Sequence, residues 1–302
     1  MPSRFFATLI ATVALLAGAG EVAAQRLQTV YDTPAAAMQD FGDAARDKNL
    51  DAFRLILGDD YTDVIPPVSN EDHERFIQAW NAEHGIIYDD PETAHIAVGT
   101  KGWTLPIPLS KIRTGWIFDM DDARDEIRVR TIGANELATI KVMLAYSDAQ
   151  QEYAQQDRTG DGVPKYAMKF ESSPGAKDGL YWPTAAGEPA SPIGPLFVEA
   201  AANKARGNEG FHGYRFRILT SQGKDAPGGA MSYVVNGKMV RGYGLLAWPV
   251  TYDETGVMTF MVNQLGQVYE KNLGPNTASL VPGIASFNPD SSWTRVKDDE
   301  TK

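Results

Sequence analysis

Apolar residues recur every third or fourth position in three early stretches, then at every second position further on. That change of period predicts helices followed by antiparallel strands. Thr33-Pro34 reads as an N-cap with proline at the first helical position, and Ala37, Phe41 and Ala45 continue as one stripe. Asn49 is placed to cap a second helix carrying Leu50, Phe53 and Leu57, with Gly58 as its stop. Ser69-Asn70-Glu71-Asp72 opens a third, with Phe76, Ile77 and Trp80 on one face and Gly85 beyond its end. Short strands are expected over His95 to Val98, Trp103 to Leu109 and Ile112 to Phe118. Pro106 and Pro108 suit the middle one to a sheet edge.

From Asp122 to about Gln156 the helical period returns through Ile127, Leu137, Ile140, Leu144 and Tyr153, with Gly133 as a candidate break. Ser172 to Pro195 is dense in proline and glycine, and predicts a long ordered loop or a mobile linker. Tyr214, Phe216 and Ile218 alternate with Gly213, Arg215 and Arg217, as in a half-buried strand. Met231 to Val235, Asn236-Gly237 and Lys238 to Trp248 read as a hairpin on a type I′ turn. A second hairpin joins Gly256 to Val262 with Gln267 to Lys271. Tyr214, Phe216, Ile218, Val257 and Val268 are expected to share one core. The fold class is α+β: N-terminal helices with an antiparallel meander over 25–121, then a long helix on an antiparallel sheet over 122–302.

The first residues carry an address. Arg4 precedes the apolar run Phe5 to Ala17, which is too short to span a bilayer, and Val22-Ala23-Ala24 supplies the small residues a signal peptidase accepts. Residues 1–24 therefore read as a signal peptide cleaved between Ala24 and Gln25, giving a periplasmic or secreted protein. No later segment offers a further membrane span. The absence of Cys across all 302 residues removes a lipid anchor, disulfides, thiolate nucleophiles and Cys-ligated metals. A formal charge of −11 denies the chain the basic footprint of a nucleic-acid or anionic-membrane binder.

Candidate chemistry is sparse. The histidines His73, His84, His95 and His212 form no i, i+4 pair, so they read as surface or capping residues. Ser172, Ser173 and Ser191 stand outside any Gly-x-Ser-x-Gly elbow. Asp157, Thr159 and Asp161, followed by Gly162, match the opening positions of a calcium loop. Met168 takes the place of its closing Glu, so a plain turn after the long helix is the alternative. The run Asp119, Asp121, Asp122, Asp125, Glu126 is interleaved with Arg124 and followed by Arg128 and Arg130, the order a solvated helix start favours, with a general acid/base pair as the alternative. Ala226 to Ala230 has glycines without the Lys-Ser/Thr ending of a phosphate loop. Tyr181 and Trp182 are large aromatics in the 172–195 loop, suited to a partner contact or to anchoring that loop.

Longer motifs carry a family likeness. FHGYRFRILTSQGKDAPGGA, YVVNGKM, AWPVTY and GVMTFMVNQLGQVYEKNLG, with GTKGWTLPIPL, IGANELATI and DGLYW upstream, resemble the bacterial family called domain of unknown function 2950. The resemblance implies an envelope protein and no particular activity. The helix through Asn135 and Tyr153, the strand Gly213 to Phe216, Trp248-Pro249 and the later hairpin resemble the globular part of type II secretion pseudopilins. No Gly-Phe-Thr-Leu cleavage site precedes the apolar run. The first part resembles a cone-shaped nuclear-transport-factor-2-type domain, in which Trp80, Trp103 and Trp116 would enclose an apolar cavity. The expected function is a non-catalytic envelope module contacting another protein or a cell-wall polymer. A hydrolase or small-ligand binder using a pocket in the N-terminal domain is the rival.

Overall fold

Capping side chains decide where the first helices begin. The computed structural model describes residues 28–65, 67–194 and 210–297. The expected signal peptide and its Ala24–Gln25 bond therefore lie outside the described residues, as does Pro195. The chain divides into two compact units, 1–123 and 124–302.

In the first unit, the Thr33 hydroxyl accepts the Ala36 N–H at 3.2 Å and starts α1 (Pro34–Asp47). Asn49 does the same for Ala52 at 3.0 Å, starting α2 (Leu50–Leu57). After a short α3 (Tyr61–Val64), Ser69 caps α4 (Asn70–Ala82) through the Asp72 N–H. An antiparallel sheet follows, made of β1 (His84–Tyr88), β2 (Thr93–Val98), β3 (Trp103–Thr104), β4 (Leu109–Ile112) and β5 (Gly115–Phe118). Its order is β1-β2-β4-β5, with β3 also paired to β2. The inward residues Ala94, Ile96, Leu109 and Phe118 are fully buried against Ala37, Phe41 and Trp80 of the helices.

Gly85 lies beyond the end of α4, as expected, and inside β1, since α4 stops at Ala82 and Glu83 is already extended. Strand β1 went unread because its only apolar pair, Ile86-Ile87, shows no alternation. The strand expected over 103–109 pairs at Trp103 and Thr104 and again at Leu109, which opens β4, because Pro106 and Pro108 between them cannot donate to a ladder. The strand expected over 112–118 is split by a turn at Arg113-Thr114, across which Ile112 faces Gly115.

Helix α5 (Met120–Tyr153) is 34 residues long and begins where the Asp119 carboxylate accepts the Asp121 and Asp122 N–H groups. It runs unbroken through Gly133. Glycine costs ~1 kcal/mol in a helix interior, and anchors just beyond it hold the helix in place. Asn135 donates to the Thr255 carbonyl at 2.9 Å, and the Glu136 carboxylate accepts the Val257 and Met258 N–H groups at 2.8 and 2.9 Å. The helix ends at Tyr153, three residues earlier than the pattern suggested, where Arg158 reaches back to the Glu152 and Tyr153 carbonyls.

In the second unit the sheet strands are β6 (Tyr214–Leu219), β11 (Gly244–Pro249), β12 (Met258–Asn263), β13 (Tyr269–Asn272) and β14 (Thr294–Arg295). They form one antiparallel sheet in the order β14-β13-β12-β11-β6. Two small pairs stand apart: β7 (Ser221–Gln222) with β8 (Met231–Ser232), and β9 (Val234–Val235) with β10 (Lys238–Met239). The type I′ turn is present, with Asn236 at φ 50° and Gly237 at φ 76°, but its hairpin is only two residues a side. Met231 pairs instead with Gln222, and β11 joins the main sheet. Ile140, Met143, Tyr146 and Tyr153 of α5 pack on one sheet face with Phe216, Leu245, Ala247, Phe260 and Val268. Tyr214 and Phe216 are in this core, Ile218 borders it, and Val257 stays outside it, half-buried. The opposite face is covered by Val281, Ile284 and Phe287 over Leu219, Leu246 and Met261. Among the described residues no helix is long and apolar enough to cross a membrane.

Candidate functional site

The residues singled out by the sequence do not gather in one place. In the loop after α5, the Asp157 carboxylate accepts the Thr159, Gly160 and Gly162 N–H groups at 3.2, 2.9 and 2.7 Å. Those hydrogen bonds, the one from Gly162 foremost, hold its carboxyl below the ordinary range. Asp161 is paired to Lys165 at 2.5 Å and to Lys238 at 3.2 Å. Lys165 also reaches the Thr159 hydroxyl, so its ammonium sits among the oxygens offered to calcium. Among the described residues no three His, Cys, Asp or Glu side chains gather to hold a metal ion.

The 172–195 loop, as far as Gly194, is irregular and pinned. Asp178 ties Lys169 to Ser173, Ser172 bonds Gly179, and Ser191 donates to the Ile193 carbonyl. Trp182 is 5% exposed and sits in the core beneath Arg158 and Lys177, while Tyr181 is half-buried. Trp182 therefore anchors the loop. The histidines are also scattered: His73 and His84 bond backbone carbonyls at 2.8 Å, and His95 faces Asp89 at 2.9 Å. The Ala226 to Ala230 loop is clamped by Gln222, which donates to the Pro227 and Gly229 carbonyls. The acidic run lies at the start of α5, with Arg128 and Arg130 paired to Asp125 and Glu126.

A more suggestive arrangement lies on the outer face of the second unit's sheet. Opposed residues in an antiparallel pair point to the same side. Trp248 faces Arg215, and Thr259 faces Lys271. Continuing each strand register by one residue sets Trp248 opposite Thr259 and Lys271 opposite Trp293. One row across the sheet thus reads Arg215, Trp248, Thr259, Lys271, Trp293. The Arg217 guanidinium lies over the Trp248 ring, 5.8 Å from its centre, and the Lys271 ammonium is 5.9 Å from that of Trp293.

Beside this row the segment after β13 leaves an open cleft of about 480 Å³, lined by Met261, Lys271, Leu273, Ile284, Asp290 and Trp293. Lys271 and Asp290 both bond Ser292, and the Ser292 hydrogen bonds hold the Asp290 carboxyl below its usual range. Asn288, on the rim, is paired with Asp225. An aromatic wall, an aliphatic floor and a few fixed polar groups are what a small uncharged polar ligand requires. Of the three tryptophans expected around a cavity in the first unit, Trp80 and Trp116 are packed in its core and Trp103 is 46% exposed. The outer row was not legible from spacing, because Trp248 and Trp293 are far apart in sequence and only strand register aligns them.

Comparison with curated proteins and with solved structures finds no match. The model of one family, described as Protein of unknown function (DUF2950), matches residues 28–296. That match takes in both units and the whole outer row, and the chain belongs to this family.

Proposed function

We propose that the protein is an exported, non-catalytic envelope module that holds a cell-wall glycan on the outer face of its second unit. The observation that carries this reading is the row from Trp248 to Trp293 beside its cleft. The Trp293 indole on the cleft wall offers rigid apolar area to the C–H face of a sugar ring, while Lys271, Asp290 and Ser286 on the rim meet hydroxyl groups. Ser292 holds Lys271 and Asp290, and Asp225 holds Asn288, so these groups are fixed in place with donor and acceptor capacity left for a ligand. Export rests on Arg4, the Phe5 to Ala17 run and the small residues before Gln25, and places the mature chain in the periplasm or outside the cell. The packing of α5 on the antiparallel sheet supports the likeness to pseudopilin globular domains as architecture.

The test is co-sedimentation of the exported chain with purified cell-wall sacculi. Wild type is expected in the pellet. Trp293→Ala is expected to bind about tenfold more weakly, equivalent to ~1.4 kcal/mol. Equal pelleting of wild type and Trp293→Ala would remove the site, and no pelleting of wild type would remove the reading. N-terminal sequencing of the periplasmic fraction should begin at Gln25; intact Met1 in a membrane pellet would overturn the export step.

A further inference from the structure

The carboxylates of Asp40, Asp43 and Asp47 fall at i, i+3 and i+7 along α1, on one helix face at ~4.5 and ~6 Å of axial rise. They line an open cleft of about 270 Å³ in the first unit, together with Tyr31, Leu55 and Ile56. Leu55 is 61% exposed although it is apolar, so a bare aliphatic surface borders a ladder of negative charge. Tyr31 is only 6% exposed, and its hydroxyl lies beside Asp40 and Thr29 without a well-formed hydrogen bond to either. Burial first, and then the Asp40 charge, push the Tyr31 phenol up to about 12, so it stays a neutral donor.

The carboxylates are spread along the helix and do not converge, and among the described residues they form no metal cluster. Spread anions beside an aliphatic strip fit a linear ligand in which ammonium groups alternate with methylene chains. We propose that this cleft binds a linear polyamine. Its ammonium groups lie against Asp40, Asp43 and Asp47, its methylenes cover Leu55 and Ile56, and Tyr31 donates to the Asp40 carboxylate once an ammonium fixes it. Arg46, which pairs with Asp43 at 2.7 Å, is half-exposed and gives way, since exposed pairs of this kind hold weakly.

The experiment is calorimetric titration of the full exported chain with spermidine at low salt. Saturable binding is expected, weakening as salt is added. Asp40 and Asp47 are exposed, so an Asp40→Asn/Asp47→Asn variant keeps its circular dichroism and melting point while its affinity falls about tenfold or more. Tyr31→Phe weakens binding several-fold, and Trp293→Ala binds spermidine like wild type, which separates this site from the glycan face. Should the double variant melt early, the single Asp→Asn variants carry the same comparison. Absence of saturation, unchanged affinity in the Asp variants, or equal competition by Mg²⁺ would each overturn the proposal.

Discussion

Replacing Gln150 by leucine should destabilise the second unit by about 2–5 kcal/mol, although leucine is similar in size and more apolar. Gln150 is fully buried on α5 and acts as a peptide partner for Ala167, itself 1% exposed. Its Nε2 donates to the Ala167 carbonyl at 2.9 Å and to the Tyr146 hydroxyl at 2.8 Å, while its Oε1 accepts the Ala167 N–H at 2.9 Å. Leucine leaves both Ala167 backbone groups buried without a partner, at ~1–3 kcal/mol each, offset in part by the apolar surface it adds. Tyr146 keeps the Gly244 carbonyl at 3.3 Å.

For a unit spanning residues 124–302, each kcal/mol shifts the melting midpoint by ~2–4 °C, so a loss of ~3 kcal/mol lowers it by ~6–12 °C. Thermal denaturation followed by circular dichroism reads this directly, and hydrogen exchange at the Ala167 amide should accelerate alongside it. Gln150→Glu separates donor loss from packing. A buried carboxyl has its folded pKa raised, so the variant is most stable below the unfolded pKa of ~4.3 and loses stability as pH rises through the folded value. Glu152→Ala, at an exposed position two residues along, is the control and should cost under ~0.5 kcal/mol. A Gln150→Leu midpoint within ~2 °C of wild type would refute the reasoning about Ala167.

Four further outcomes are expected. Glu136→Ala frees the Val257 and Met258 N–H groups and should cost ~2–4 kcal/mol in urea denaturation; a loss below ~0.5 kcal/mol would show that the anchor is idle. Phe216→Ala, at a core position 7% exposed, should cost ~3–5 kcal/mol, whereas half-buried Val257→Ala should cost under ~1.5 kcal/mol; equal losses would contradict the assigned core. The Lys165 hydrogen bond, with Lys238, holds the Asp161 carboxyl down at about 2, so its contribution is present above the unfolded carboxylate pKa and fades as pH falls towards 2. The stability gap between wild type and Asp161→Asn should narrow over that window, and a gap constant with pH would refute the pairing. Adding about 10 mM Ca²⁺, well above the ~10⁻⁴–10⁻³ M of extracellular calcium modules, should not raise the wild-type melting point, because Lys165 and Lys238 already neutralise Asp161; a clear rise would restore the loop as a calcium clamp.

The elements most legible in the sequence were those whose boundaries rest on local chemistry. Thr33, Asn49 and Ser69 cap their helices through hydrogen bonds three residues long, and Asn236-Gly237 turns because both residues take positive φ. What escaped depends on partners far away in the chain. Nothing near Gly133 shows that Glu136 will be held by Val257, so a local penalty looked like a break. The short extent of the Asn236-Gly237 hairpin has the same origin. Residues 244–249 have better partners in β6 and β12, whose hydrogen bonds and buried faces outweigh continuation of a two-residue ladder.

The same division governs the candidate sites. The Asp157 loop was visible because its residues are adjacent, yet the group that completes it, Lys238, is distant in sequence and reaches it only through the fold. Tyr181-Trp182 stand out as large aromatics in a loop of small residues, proline and glycine, where hydropathy allows either a partner contact or an anchor, and the Trp182 indole points inward. Trp248 reads as a strand residue, and Trp293 lies beyond the last hairpin expected from the sequence. Their common face is decided by the registers of β11 through β14, and a slip of one residue in any pair would turn one of them to the other side. The proposed glycan face is therefore a property of sheet register and not of any one segment of the sequence.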